Sequence, residues 1–198
     1  MCAVVTEECS TFDLIRTVAG ELFCQAGYKG TGMRSLAAAV GIQAGSLYNH
    51  IESKQALLYE LITDYEMHLL QIFKGRLVSR CTNAVKMNSL LWGAVSKFVA
   101  ENRHLAQLAR DQIQHLSRDQ AKSISGIRLR RQRQLQVLLA QCSDDLGLST
   151  EGLEVLGEEL DALLNCYVSL GADETVDSNG VVKRQLQNMA SMLLVKRD

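Results

Sequence analysis

The 198-residue sequence predicts an all-α fold of about nine helices, and three observations carry that prediction. The chain has no proline. β-Branched alternating runs are scarce, and apolar residues recur at spacings of three and four along most of the length. No βαβ pattern interrupts them. A chain of this size buries a sizeable core and has room for a small head and a larger body.

The first helix starts at Ser10 or Thr11, either of which offers a capping hydroxyl. It carries Phe12, Ile15, Val18, Ala19, Leu22 and Phe23 on one face until Gly27 stops it. After a loop over 28–32, a short helix spans 33–40 with Met33, Leu36, Ala37 and Val40 inward, and Gly41 breaks it. A second short helix runs from Gln43 or Ala44 to His50. Ser53 then caps a long helix whose apolar positions, from Leu57 and Leu58 to Ile72 and Phe73, carry it to about Val78. The remainder divides into helices over 82–100, 103–116, 119–146, 150–170 and 181–196, with 171–180 as the clearest loop.

Composition narrows the function. The net charge of −1 argues against a broad electrostatic nucleic-acid binder but is compatible with a small reader. No run approaches the ~18 apolar residues of a spanning helix, and residues 1–10 lack the basic start and apolar core of a signal peptide, so a cytoplasmic protein with no membrane partner is expected. Cysteines stand at 2, 9, 24, 81, 142 and 166, without a Cys-x-x-Cys pair or a His at metal-finger spacing. No metal or cofactor is therefore expected. In a reducing compartment the thiols read as small apolar residues, with redox sensing by Cys24 or Cys142 as the alternative.

Two short helices joined by Gly41-Ile42 and flanked by longer ones match a helix-turn-helix, in which the first helix braces the second against the major groove. Small Ala37 lets the helices approach, Gly41 permits the turn, and Ile42 and Leu47 lock the recognition helix onto the core. The remaining positions, Gln43, Ala44, Gly45, Ser46, Tyr48, Asn49 and His50, are mostly small and polar, which suits base edges and phosphates.

These residues resemble the TetR family. Ala26-Gly27-Tyr28, Thr31, Leu36-Ala37, Gly41-Ile42, Ser46-Leu47-Tyr48, His50 and Ser53-Lys54 follow the family signature in order and spacing over about residues 12–62. The resemblance implies a three-helix DNA-binding head, residues 1–54, and a helical effector-binding and dimerisation domain, residues 55–198. It implies that Gln43, Ala44, Gly45, Ser46 and Asn49 face bases, that Arg34 reaches a base or phosphate, and that Tyr48, His50 and Lys54 hold phosphates with the amides after Ser53. Gly32 departs from the usual capping Ser or Thr, so Thr31 takes over the capping and phosphate role. Asn49, Ile51 and an arm without basic residues are further departures. Residues 1–54 hold Arg16, Lys29, Arg34 and Lys54 against Glu7, Glu8, Asp13, Glu21 and Glu52, a net of −1, so few phosphate contacts are expected.

For the body, the resemblance implies a small-molecule effector site and a homodimer reading a palindromic operator on double-stranded DNA, usually as a repressor. One apolar stripe runs through Leu153, Leu156, Leu160, Leu163, Leu164 and Tyr167, another through Val182, Leu186, Met189, Met192 and Leu193. Leu156, Leu160, Leu163, Tyr167, Leu186, Met189 and Leu193 are the expected dimer contacts, with intrachain core as the alternative. Residues 118–133 carry six basic side chains against Asp119, whereas 144–177 carry ten acidic and no basic ones. These helices are expected to lie side by side and pair across their solvated faces. Alternatively, the arginines meet an anionic effector such as an acyl-coenzyme A. Trp92, His115, Arg128 and Arg131 are the effector-site candidates, with Met87, Phe98, His104 and Cys142 as further lining.

No catalytic residues are expected. A di-metal bundle enzyme needs two Glu-x-x-His motifs and only Glu101 to His104 fits, while no strand precedes the glycines at 27, 30 and 32. The competing reading is a helical protein-binding adaptor that ignores DNA.

Overall fold

The computed structural model describes residues 10–76, 78–171 and Asn188. Among them are nine α-helices, one 3-10 turn and no strand. In α1 (Thr11–Gly30), the Ser10 hydroxyl accepts from the Asp13 amide at 3.2 Å, and Ile15, Ala19 and Phe23 are buried. Gly27 bends this helix rather than stopping it. Its φ of 73° lies in the left-handed region that glycine tolerates, and helical structure resumes to Gly30.

Helices α2 (Met33–Val40) and α3 (Ala44–Leu47) follow, then α4 (Lys54–Phe73), capped by Ser53 through the Ala56 amide at 3.0 Å. Helix α4 packs against α1, α5, α6 and α7, which is why Leu57, Leu58, Leu61, Ile62, Tyr65, Leu69, Leu70 and Phe73 are all buried. It ends five residues before the expected Val78, at Lys74-Gly75.

The body continues through α5 (Ala84–Glu101), α6 (Arg103–Asp111), the 3-10 turn η1 (Ile113–His115), α7 (Arg118–Ala140), α8 (Ser143–Leu146) and α9 (Thr150–Gly171). Two expected helices are each divided. The 103–116 segment tightens into η1 after Gln112, and the 119–146 segment breaks at Gln141-Cys142. Asp145 of α8 accepts from the Ala84 amide at 2.8 Å and so fastens α8 to the start of α5. A Ser117–Gln120 capping box opens α7.

One core runs from Ile15 to Tyr167 and is shared by head and body. In α9, Leu156, Leu160 and Tyr167 are buried and Leu163 packs on the same core. These expected dimer contacts therefore face their own chain, because helical periodicity marks an apolar face without saying whose core covers it. Val155, Ala162 and Cys166 occupy the exposed side. Leu186, Met189 and Leu193 lie outside the described residues, as does the expected 181–196 helix. Among the described residues no helix is long and apolar enough to cross a membrane.

Candidate nucleic-acid interface

The turn between α2 and α3 is built by Gly41. At φ 81° and ψ 24° it donates its amide to Ala38 O at 3.2 Å, and Ile42 donates to Ala37 O at 2.9 Å. This paired closure consumes two of the carbonyls that a helix end leaves unmet, and Ile42 packs onto the core. Leu47 and Ile51, 0% and 6% exposed, root the next segment in the core. Helix α3 itself is a single turn, shorter than the expected 43–50, and the backbone then tightens through Asn49 N to Ser46 O at 3.1 Å and His50 N to Leu47 O at 3.0 Å.

On this rooted segment Gln43, Gly45, Ser46, Tyr48, Asn49 and His50 are exposed and Ala44 is half-buried. Tyr48 is 57% exposed, a large ring presented to solvent. Arg34 is exposed on α2. The polar side chains of Arg34, Gln43, Ser46, Tyr48, Asn49 and His50 are thus exposed together on one segment pair. Such a surface can offer donors and acceptors to base edges and phosphates.

Thr31 and Lys54 behave otherwise. Thr31 is 3% exposed, and its hydroxyl donates to Leu22 O at 3.1 Å and Gly27 O at 3.0 Å. It seals the bend in α1. Helix α2 starts at Gly32 without a side-chain cap, so Thr31 takes neither the capping nor the phosphate-facing position expected of it. Lys54 Nζ donates to Tyr28 O at 2.7 Å and Thr31 O at 2.8 Å, and lies 4.3 Å from the centre of the Tyr28 ring. Carbonyls at the end of α1 attract the ammonium inward, so Lys54 joins α4 to α1 instead of reaching out as a free phosphate contact.

The head is tied to the body along α1. Tyr28 stacks on His115 of η1 with centroids 4.9 Å apart, and its amide donates to Gln112 Oε1 at 3.4 Å. Gln55 Nε2 donates to His115 O at 2.8 Å. Cys24 Sγ donates to Gln107 Oε1 at 2.6 Å, and Arg16 pairs with Asp64. His115 thus sits at the junction of head and body.

The other effector candidates also separate. Trp92 is buried in the core, edge-on to Tyr167 with centroids 5.4 Å apart. Arg128 and Arg131 line a cavity of about 390 Å³ between α4, α7 and α9, together with Glu66 and Asp161. Glu66 is 3% exposed. Its Oε1 accepts from Arg128 Nε at 2.6 Å and its Oε2 from Arg131 Nη1 at 3.1 Å. Helices α7 and α9 do lie side by side, and Arg128 and Arg131 both turn to this α4 carboxylate, while Arg131 also donates to Asn165 Oδ1 of α9. Sequence reasoning overlooked Glu66, although a lone carboxylate four residues after Ile62 on an otherwise apolar face was a readable signal.

The cysteines considered for redox chemistry are poorly activated. Burial pushes the Cys142 thiol up to about 11, and burial also raises that of Cys24, so neither is enriched in thiolate. Among the described residues no group of three His, Cys, Asp or Glu side chains could hold a metal ion.

A short helix pair with an exposed second member, braced by α1 and α4 and carried on a helical body, defines a helix-turn-helix protein. Residues 15–61 match the family described as bacterial regulatory proteins, tetR family. The chain is 26% identical over 99 residues to the HTH-type transcriptional repressor KstR2 of Rhodococcus jostii RHA1, a match covering 50% of this chain and 48% of that protein. The chain thus spans about half the length of this curated relative in the match. The fold is similar to that of a tetR-family regulatory protein from Rhodococcus RHA1, with TM-score 0.76, 18% identity and coverage of 93% and 97% of the two chains. It is also similar to AibR solved with isovaleryl coenzyme A and operator DNA, with TM-score 0.71, 17% identity and coverage of 93% and 98%.

Proposed function

We propose that the protein is a homodimeric repressor that reads a palindromic operator with its α2–α3 unit and releases it when a small-molecule effector enters the body. The observation that carries this reading is the exposed polar segment from Gln43 to His50, fixed in place by buried Leu47 and Ile51 within the family-matched stretch. In this reading Gln43, Ala44, Gly45, Ser46 and Asn49 meet bases, while Arg34, Tyr48 and His50 hold register on base or phosphate. Dimerisation follows from the two-fold symmetry of such operators. The operator and coenzyme A ester bound by AibR support both halves of the proposal.

The cavity beside Glu66 abuts α4, and α4 begins where Lys54 grips α1. An effector that prefers one placement of α4 lowers operator affinity by its differential affinity for that state.

Footprinting of the purified protein on the DNA upstream of its gene tests the reading. Two protected half-sites centred about one helical turn apart, or a multiple of it, are expected. Protection lost in Tyr48→Ala/His50→Ala with an unchanged helical signal supports the interface. Undiminished protection in that variant would overturn it, and a stable protein complex with no footprint would favour an adaptor.

A further inference from the structure

We infer that the cavity between α1, α4 and the start of α6, where head meets body, takes a small organic cation: a primary ammonium on a short apolar tail. This site shares no lining residue with the cavity beside Glu66, and it does not depend on the reading of the body as an effector domain.

The cavity measures about 460 Å³. Asp13, Arg16 and Thr17 line it from α1, Leu61 from α4, and His104 and Leu105 from α6. Charge on this wall is unbalanced. Arg16 is already matched, since it pairs with Asp64 of α4 and lies 5.6 Å from the centre of the Phe12 ring. Asp13 accepts at 2.8 Å from the neutral Ser10 hydroxyl, and no cation pairs with it among the described residues. Asp13, Arg16 and Asp64 together therefore leave one carboxylate in excess. His104 does not offset it at neutral pH, because burial lowers its pKa below 6.5 although Glu21 pulls it upward.

The neutral polar groups lean the same way. Thr17 donates its hydroxyl proton to Asp13 O at 3.0 Å, so only its lone pairs remain to be offered. Asn102, also on the wall, donates to Phe98 O at 2.9 Å, while its side chain caps no backbone amide of α6 and its oxygen stays an acceptor. An ammonium brings three donors and the opposite charge, and its bond to the Asp13 carboxylate is charge-assisted. A carboxylate or phosphate meets the excess negative charge instead, and reaches Arg16 only in competition with Asp64. Leu61 and Leu105 give the tail its apolar contact, and the volume leaves room for a short alkyl chain.

The test is calorimetric titration of the full-length protein at about pH 7.5, where an alkylamine is charged, with hexylamine, ethylamine, 1-hexanol and hexanoate. Hexylamine should bind at least about tenfold more tightly than each of the other three. Asp13→Asn keeps the side-chain size and an oxygen for Ser10. With its helical signal unchanged, this variant should lose at least about tenfold in hexylamine affinity. Hexanol, hexanoate or ethylamine binding as tightly as hexylamine would overturn the inference. So would hexylamine affinity that is unchanged in Asp13→Asn, or no hexylamine binding up to about 10 mM. None of these readouts involves DNA, so the cation site and the operator reading stand or fall separately.

Discussion

Lys54 Nζ lies 4.3 Å from the centre of the Tyr28 ring and donates at 2.7 Å to the carbonyl of the same residue. With the second bond to Thr31 O, this one side chain closes the end of α1 over the start of α4. Lys54→Met should keep the aliphatic stem but leave two part-buried carbonyls unmet, lowering stability by roughly 1–3 kcal/mol in urea titration. Tyr48→Ala, at an exposed ring, should change stability by less than about 0.5 kcal/mol while abolishing the gel shift. A Lys54→Met protein as stable as the wild type would mean that the inward bonds do not matter and that the amine is free for phosphate.

The turn at Gly41 makes a backbone prediction. Gly41→Ala forces an L residue to φ 81°, which costs about 1–2 kcal/mol. A lower thermal midpoint is expected, together with weaker DNA binding, since the orientation of α3 depends on this turn. No change in either would show that the turn relaxes freely.

Burial of Glu66 between two guanidinium groups predicts an asymmetric response. Glu66→Ala leaves Arg131 charged and buried without its counter-ion and should cost roughly 3–5 kcal/mol. Removing the charges together, in Glu66→Met/Arg131→Met, should restore much of that loss. Denaturation of the two variants side by side decides it, and equal losses would refute the ion-pair account.

His104 gives the pH dependence. A Cβ placed on Gly20 would come within 3.1 Å of its ring, so the imidazole is nested against α1. Burial lowers its pKa below the ordinary 6.5, while Glu21 pulls it upward. The unfolded chain then binds the proton more readily than the folded one, so this contribution is complete above 6.5 and is lost as pH falls through and below it. Denaturation midpoints between about pH 7.5 and 5.5 should drop in the wild type and drop less in His104→Gln. Equal slopes would remove His104 as the cause.

Salt should weaken operator binding gently. With Lys54 turned inward, Lys29 and Arg34 are the exposed cations of each head, setting a log–log slope no steeper than about −4 for a dimer. A markedly steeper slope would require cations from elsewhere in the chain to reach DNA.

What the sequence could tell was decided by range. Ser10, Ser53 and Gly41 act on neighbours within a few residues, so their roles were legible and the structure keeps them. The exposed polar run from Gln43 to His50 was legible for the same reason, because buried Leu47 and Ile51 fix its facing. Lys54 and Thr31 find backbone partners that side-chain pattern does not mark, Lys54 at Tyr28 O and Thr31 O beyond its own helix and Thr31 at Leu22 O and Gly27 O of the helix that it ends. Arg128 and Arg131 were read by charge alone, and their acceptor, Glu66, is more than sixty residues away in sequence. Leu156, Leu160 and Tyr167 show the limit of periodicity, which finds a buried face and is silent on its neighbour.

Helix α4 also works as a ruler. Lys54 and Glu66 are twelve positions apart on it, about 18 Å at 1.5 Å per residue. If the Glu66 end is held by its two guanidinium groups, a tilt of only about 3° sweeps the Lys54 end through about 1 Å. That arc is large against hydrogen bonds of 2.7 and 2.8 Å, so a sub-ångström adjustment in the cavity wall is geometrically magnified into making or breaking the grip on α1.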